Sequence, residues 1–117
     1  MTNKDGKTNL LDGVSYTENA YLNASGVETT NQNDFHYTDY IPFNGNEHTL
    51  FVNRTVISSY IRIHGYNSNK EWVKQIIADN FTKTGVYGIY FLENVAYIRI
   101  STNKGNKLLA VLEGDAI

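Results

Sequence analysis

The sequence predicts an all-β chain folded as a sandwich or barrel, and three observations carry that prediction. Tyr, Ile, Val, Thr and Phe, which suit a pleated and half-buried surface, are abundant. Asn and Gly, which punctuate turns, are equally frequent. Apolar residues nowhere recur at helical spacing for more than about two turns. At 117 residues, 41% of them hydrophobic and 19% charged, the chain is long enough for one core and too apolar for a disordered tail.

The strands are expected at short, regular intervals: Ala20–Leu22, Asp34–Ile41, His48–Val52, Ser59–Gly65, Glu71–Ile77, Gly85–Phe91, Val95–Ser101 and Lys107–Glu113. Turn chemistry separates them at Asn23-Ala24-Ser25-Gly26, Asn44-Gly45-Asn46, Asn67-Ser68-Asn69 and Asn103-Lys104-Gly105-Asn106. Pro42 closes the second strand, where it removes no ladder hydrogen bond. Glu71–Asp79 is the nearest approach to a helix, because Trp72, Val73, Ile76 and Ile77 fit either period; the strand is preferred. Residues 1–8 form a polar, flexible N-terminal arm, and residues 9–117 form a single domain.

Tyr60-Ile61-Arg62-Ile63 recurs as Tyr97-Ile98-Arg99-Ile100. In a strand the isoleucines of each copy face one side and the Tyr and Arg the other. Two such strands supply one leaf of a sandwich with a dry aliphatic face and a Tyr/Arg face.

Charge and composition exclude several functions. A net charge of −2 argues against a nucleic-acid binder, which needs a basic face. With no cysteine there is no disulfide scaffold, thiolate zinc site or cysteine nucleophile. The arm Met1–Thr8 has no apolar stretch behind it, so neither a signal peptide nor membrane insertion is expected. His36, His48 and His64 are scattered, no nucleophile stands in a recognisable context, and no metalloprotease, Walker or dinucleotide motif occurs, so the chain reads as a non-enzyme. No cofactor is expected. The scattered Asp and Asn offer oxygen ligands for a structural calcium ion at most, and no EF-hand-type loop occurs. The N-x-[ST] triplets at Asn23, Asn53 and Asn80 are what an Asn- and Thr-rich chain produces by chance.

The aromatics are more informative. One tryptophan and nine tyrosines exceed what one small sandwich core hides. Rings left at a surface can stack on the C–H face of a sugar, while Arg, Asn and His bond its hydroxyls. Trp72, after the polar turn at Asn67–Lys70, is the leading exposed platform; the competing reading has it covering a sheet edge. Tyr60, Arg62, His64 and Tyr66 alternate along one strand and project to one face. With Tyr97 and Arg99 from another strand they would line a groove. Ordinary ion pairs of Arg62 and Arg99 with Glu71 or Glu113 are the competing reading there.

Read end to end, further phrases form an ordered set: Asn9-Leu10-Leu11-Asp12-Gly13; Ala20 to Glu28; Tyr37-Thr38-Asp39-Tyr40-Ile41-Pro42-Phe43; Gly65 to Trp72; Val95 to Ser101; and Leu112-Glu113-Gly114. In this order the chain resembles the carbohydrate-binding-like jelly-roll modules of tail and baseplate receptor-binding proteins from phages of Gram-positive bacteria. It departs from them at His48–Ser58 and at Phe91–Asn94, where a proline-containing approach is replaced.

The resemblance implies a two-sheet antiparallel jelly roll and no catalytic residue. It implies adhesion to cell-wall or cell-surface polysaccharide by a multi-copy or homo-oligomeric virion protein, assembled with other virion proteins in the host cytoplasm and acting outside it. The alternative function is a structural, assembly or decoration module of the virion with no glycan ligand. The alternative location is a bacterial cell surface or secreted protein.

Overall fold

The computed structural model describes the backbone of residues 8–54, 59–81, 85–104 and 110–115, and the side chains of residues 10–50, 61–76 and 92–104. Among the described residues all regular structure is strand. In chain order the strands are β1 (Thr8–Asn9), β2 (Tyr16–Glu18), β3 (Ala20–Leu22), β4 (Glu28–Thr30), β5 (Phe35–Thr38) and β6 (Ile41–Pro42). They continue with β7 (His48–Arg54), β8 (Ser59–Tyr66), β9 (Trp72–Phe81), β10 (Gly85–Phe91), β11 (Tyr97–Asn103) and β12 (Ala110–Asp115). The pairing within every sheet is antiparallel.

One sheet runs β1-β12-β7-β10, and the other runs β2-β5-β11-β8-β9 with β6 also paired to β11. The first strand begins at Thr8, opposite Glu113, one residue inside the segment assigned to the polar arm. The remaining residues of that arm lie outside the described ones.

The core forms where the two sheets meet. Leu50 of β7 packs with Ile61 and Ile63 of β8 and Ile98 and Ile100 of β11, all without solvent exposure, and Phe43, Leu92 and Val95 close one end. Each such aliphatic side chain contributes about 2 kcal/mol on burial. The repeated Tyr-Ile-Arg-Ile phrase is explained by this core. Its two copies lie on adjacent strands, with Ile100 opposite Ile63 and Arg99 opposite His64, so both put their isoleucines into the same interior.

Trp72–Phe81 is a strand, and its mixed periodicity has a cause. Register shifts against β8 leave Ile76 and Val73 as extra residues on β9. Each bulge interrupts strict alternation, so Ile76 still packs against the core while the neighbouring phase is lost.

Two irregular segments complete the frame. Residues 43–46 run alongside the turn at 92–96, where the amides of Phe43 and Gly45 donate to the carbonyls of Ala96 and Val95. β3 and β4 form a separate two-stranded hairpin. The Asn23 side-chain oxygen accepts from the amides of Ser25 and Val27 at its tip, and the Gln32 amide donates to Asn19 at its base. Ala20 and Leu22 pack on Tyr37, so the hairpin lies over the sheet face that points away from the core.

Candidate functional site

Residues directly opposite in an antiparallel pair share a face, and the register of β9, β8, β11 and β5 therefore defines what that outer face carries. Tyr66 stands between Trp72 and Tyr97. His64 stands beside Arg99, and Arg62 beside Ser101, which itself neighbours Tyr37. Trp72, Tyr66, His64, Arg62, Tyr97 and Arg99 thus come together on one surface. Tyr60 pairs with Asn80 in the β8–β9 ladder; its side chain lies outside the described residues.

Sharing a face does not make them equally accessible. His64 is 0% and Tyr66 2% exposed, so neither is open to a ligand as the sequence reading expected. His64 lies under the hairpin, whereas Tyr66 is enclosed by Tyr40 and Arg99. The Leu22 amide donates to Ser101 Oγ (3.1 Å), and Arg62 Nη1 donates to the Leu22 carbonyl (2.9 Å), which holds β3 across the sheet.

Trp72 remains 44% exposed. Its indole N–H donates to His64 Nδ1 at 3.0 Å, which places the imidazole proton on Nε2 and requires a neutral ring. Burial pushes the His64 pKa down to about 4, and the charges of Arg62 and Arg99 act in the same direction. The pyrrole part of the indole also lies against Gly26, in the hairpin turn. A Cβ added there would sit 2.6 Å from Trp72 Cδ1, and Gly26 has φ +77°. Gly26→Ala is therefore expected to lose about 1–2 kcal/mol of stability and to shift the emission of the single tryptophan. Unchanged stability and emission would refute this seating of the indole.

Arg99 sits among tyrosines. Its Nε–H donates to the Tyr66 hydroxyl at 3.0 Å. The guanidinium carbon is 4.5 Å from the Tyr40 ring centroid, 4.8 Å from Tyr66 and 5.4 Å from Tyr37. Burial raises the Tyr66 hydroxyl pKa, and Arg99 opposes that rise. Lys70 reaches the same group from the turn between β8 and β9, with Nζ 5.3 Å from Tyr40 and 5.2 Å from Tyr97. Tyr40 meets both Tyr66 and Tyr97 edge-on. The expected ion pair with Glu71 is not made by Arg99; that carboxylate instead accepts from Asn67 Nδ2. Glu113 lies outside the residues with described side chains.

Tyr37, Tyr40 and Lys70 join the site without having been singled out as ligand candidates. The phrase Tyr37-Thr38-Asp39-Tyr40 reads as a strand; only the pairing of Tyr37 with Ser101 places it beside Arg62 and Arg99.

Next to this cluster, under the hairpin, lies a hollow of about 460 Å³ lined by Tyr21, Leu22, Asn23, Ala24, Phe35, Arg62 and Ser101. Tyr21 and Phe35 meet edge to face at 5.4 Å and form its aromatic wall. A second hollow, of about 670 Å³, includes Asn44, Asn46, Asn67 and Asn94. Three of those asparagines spend their side-chain oxygens on turn amides: Asn44 on Asn46, Asn46 on Asn94, and Asn67 on Asn69 and Glu71.

Among the described residues no group of three or more His, Asp or Glu side chains is placed to hold a metal ion. No helix among them is long and apolar enough to cross a membrane. No protein-family model, curated protein or solved structure matches the chain.

Proposed function

We propose that the chain is a non-enzymatic, carbohydrate-binding-like module that adheres to cell-surface glycan, of the kind carried by phage tail or baseplate proteins. The observation that carries this reading is Trp72. Its indole is tied at one edge to a buried histidine and braced by Gly26, yet nearly half of the residue remains open. A ring with a fixed orientation and a free surface is suited to stacking on a sugar at small entropic cost. The adjoining hollow supplies two more rings and Arg62.

Strand order supports a jelly-roll reading of the sandwich. Numbering the eight strands β1, β5 and β7 to β12 from one to eight, the first sheet runs 1-8-3-6 and the main run of the second 2-7-4-5. Two interlocked Greek keys produce that order. A shallow site on such a module binds weakly as a monomer and acts through many copies.

The test is a label-free titration of the purified chain against immobilised cell-wall polysaccharides from Gram-positive bacteria, presented multivalently. Saturable binding is expected, weakened about tenfold by Trp72→Ala. Binding to none of them overturns the reading. The second reading, a virion assembly or decoration module, is favoured by Val27, which is 59% exposed in the same turn as Gly26. It predicts that a second copy covers Trp72 and Val27, giving a sedimenting dimer or larger species that Trp72→Ala dissociates.

A further inference from the structure

We infer that the saccharide recognised on this face carries an anionic group, a carboxylate or a phosphate, which seats between Lys70 and Arg99 over the Tyr40 ring. The inference rests on the glycan-binding reading and specifies the chemistry of its ligand.

Two cations address one aromatic ring. Lys70 Nζ stands 5.3 Å and the Arg99 guanidinium carbon 4.5 Å from the Tyr40 centroid. Neither has a carboxylate partner among the described residues, although the chain has twelve acidic residues against ten basic ones. Their contacts are aromatic: Arg99 with Tyr37, Tyr40 and Tyr66, and Lys70 with Tyr40 and Tyr97. Aromatic rings attract cations without neutralising them, so two cations are held close together here with no direct ion pair among the described residues. The nearby carboxylates hydrogen-bond to other groups: Glu71 accepts from Asn67 Nδ2, Asp39 from the Tyr40 amide, and Glu28 from the Tyr37 hydroxyl. Arg99 uses only its Nε–H on Tyr66. Its two terminal nitrogens make no hydrogen bond with the described residues, and that pair matches a carboxylate or phosphate.

The backbone adds a second, independent observation. Lys70 has φ +63°, a left-handed conformation in which lysine is strained and glycine is not. The turn enforces it. The Asn67 side-chain oxygen accepts from the amides of Asn69 and Glu71, the Asn67 carbonyl accepts from the Lys70 amide, and the Asn67 amide donates to the Glu71 carbonyl. The turn thus holds an exposed lysine with its ammonium over two tyrosine rings. Half-buried Tyr40 and Tyr97 offer ring faces and hydroxyls to the sugar, and Trp72, across Tyr66 from Tyr97, continues the aromatic row.

The experiment uses charged polysaccharides and their neutral twins: polygalacturonate against its carboxyl-reduced form, and phosphomannan against dephosphorylated mannan. Polyglutamate serves as a sugar-free polyanion, and the Gram-positive cell-wall polysaccharides of the binding test complete the panel. At low salt at least one charged form should bind about tenfold or more tightly than its twin, with an advantage that falls as salt rises. Lys70→Gly should abolish that advantage without lowering Tm, since glycine accepts the turn conformation. Arg99→Gln should reduce it, and Arg99→Lys should restore part of it.

The two pairs separate the sources of the anion, since a response in one alone identifies carboxylate or phosphate. Equal binding of charged and neutral twins, an advantage untouched by Lys70→Gly, or equally tight binding of polyglutamate each overturns the inference and leaves the glycan reading standing. Binding to no saccharide in the panel removes both.

Discussion

Gly45→Ala is expected to be the most damaging methyl addition at any described glycine, lowering folding stability by about 3 kcal/mol or more. A Cβ at Gly45 would lie 1.8 Å from the Leu92 carbonyl oxygen, 2.8 Å from its carbon and 2.9 Å from the Val95 carbonyl oxygen. These are backbone atoms, and no rotamer change relieves them. They are held in place because the Gly45 amide donates to Val95 (2.8 Å), Phe43 to Ala96 (2.9 Å) and Val95 to Leu92 (3.0 Å). Making room means opening that set of hydrogen bonds at one end of the core, where Phe43, Leu92 and Val95 are buried. Urea denaturation of the two proteins at neutral pH measures the loss. A midpoint within error of wild type would show that the two segments are not packed this closely.

The second large effect is a loss of stability in mild acid caused by His64. Its folded pKa, about 4, lies below the ordinary 6.5. Between those values the unfolded chain takes up a proton that the folded chain excludes. The contribution is therefore intact above pH 6.5 and is lost as pH falls towards 4, to a total of about 3 kcal/mol. Physically, a proton on Nδ1 removes the acceptor of the Trp72 indole and puts a charge where there is no solvent, near Arg62 and Arg99. His36 has its pKa lowered as well, chiefly by burial, and adds a smaller loss of the same sign. Carboxylates titrate over part of this range, so the test compares two proteins. The stability of His64→Gln, measured by denaturation at a series of pH values, should decline less steeply between 6.5 and 4 than that of wild type. Parallel curves would exclude His64 as the source.

Where burial alternates residue by residue, the fold was legible. Ile61, Ile63, Ile98 and Ile100 are fully buried while Arg62 and Arg99 are not, and that contrast is written directly into two short phrases. Seven of the eight expected strands occur with ends moved by a few residues, and the eighth, Asp34–Ile41, is broken at Asp39–Tyr40 into β5 and β6. Three short ones were not expected. Thr8–Asn9 has no pattern of its own, and Tyr16–Glu18 and Glu28–Thr30 bury none of their residues, so partner strands alone make them strands.

The site was legible to the extent that it depends on alternation, which is why six described candidates share a face. Accessibility was not, because nothing local in Ala20–Thr30 says that the hairpin will fold back over His64. Lys70 was missed for a similar reason: its importance lies in a backbone angle and in the ring it reaches.

The β3–β4 hairpin shares no strand ladder with the sheet it covers, among the described residues. It is pinned through Leu22 to Ser101 and Arg62, and through Gly26 to Trp72. Its tip residues Ala24 and Ser25 are exposed, and lengthening a flexible surface loop twofold costs only about 0.6 kcal/mol. Insertions or exchanges at that tip would redraw the rim of the aromatic hollow while every rung of both sheets stayed paired. The chemistry of this surface and the foldability of the chain are thereby separately heritable: the tip can change without renegotiating how the two sheets pair.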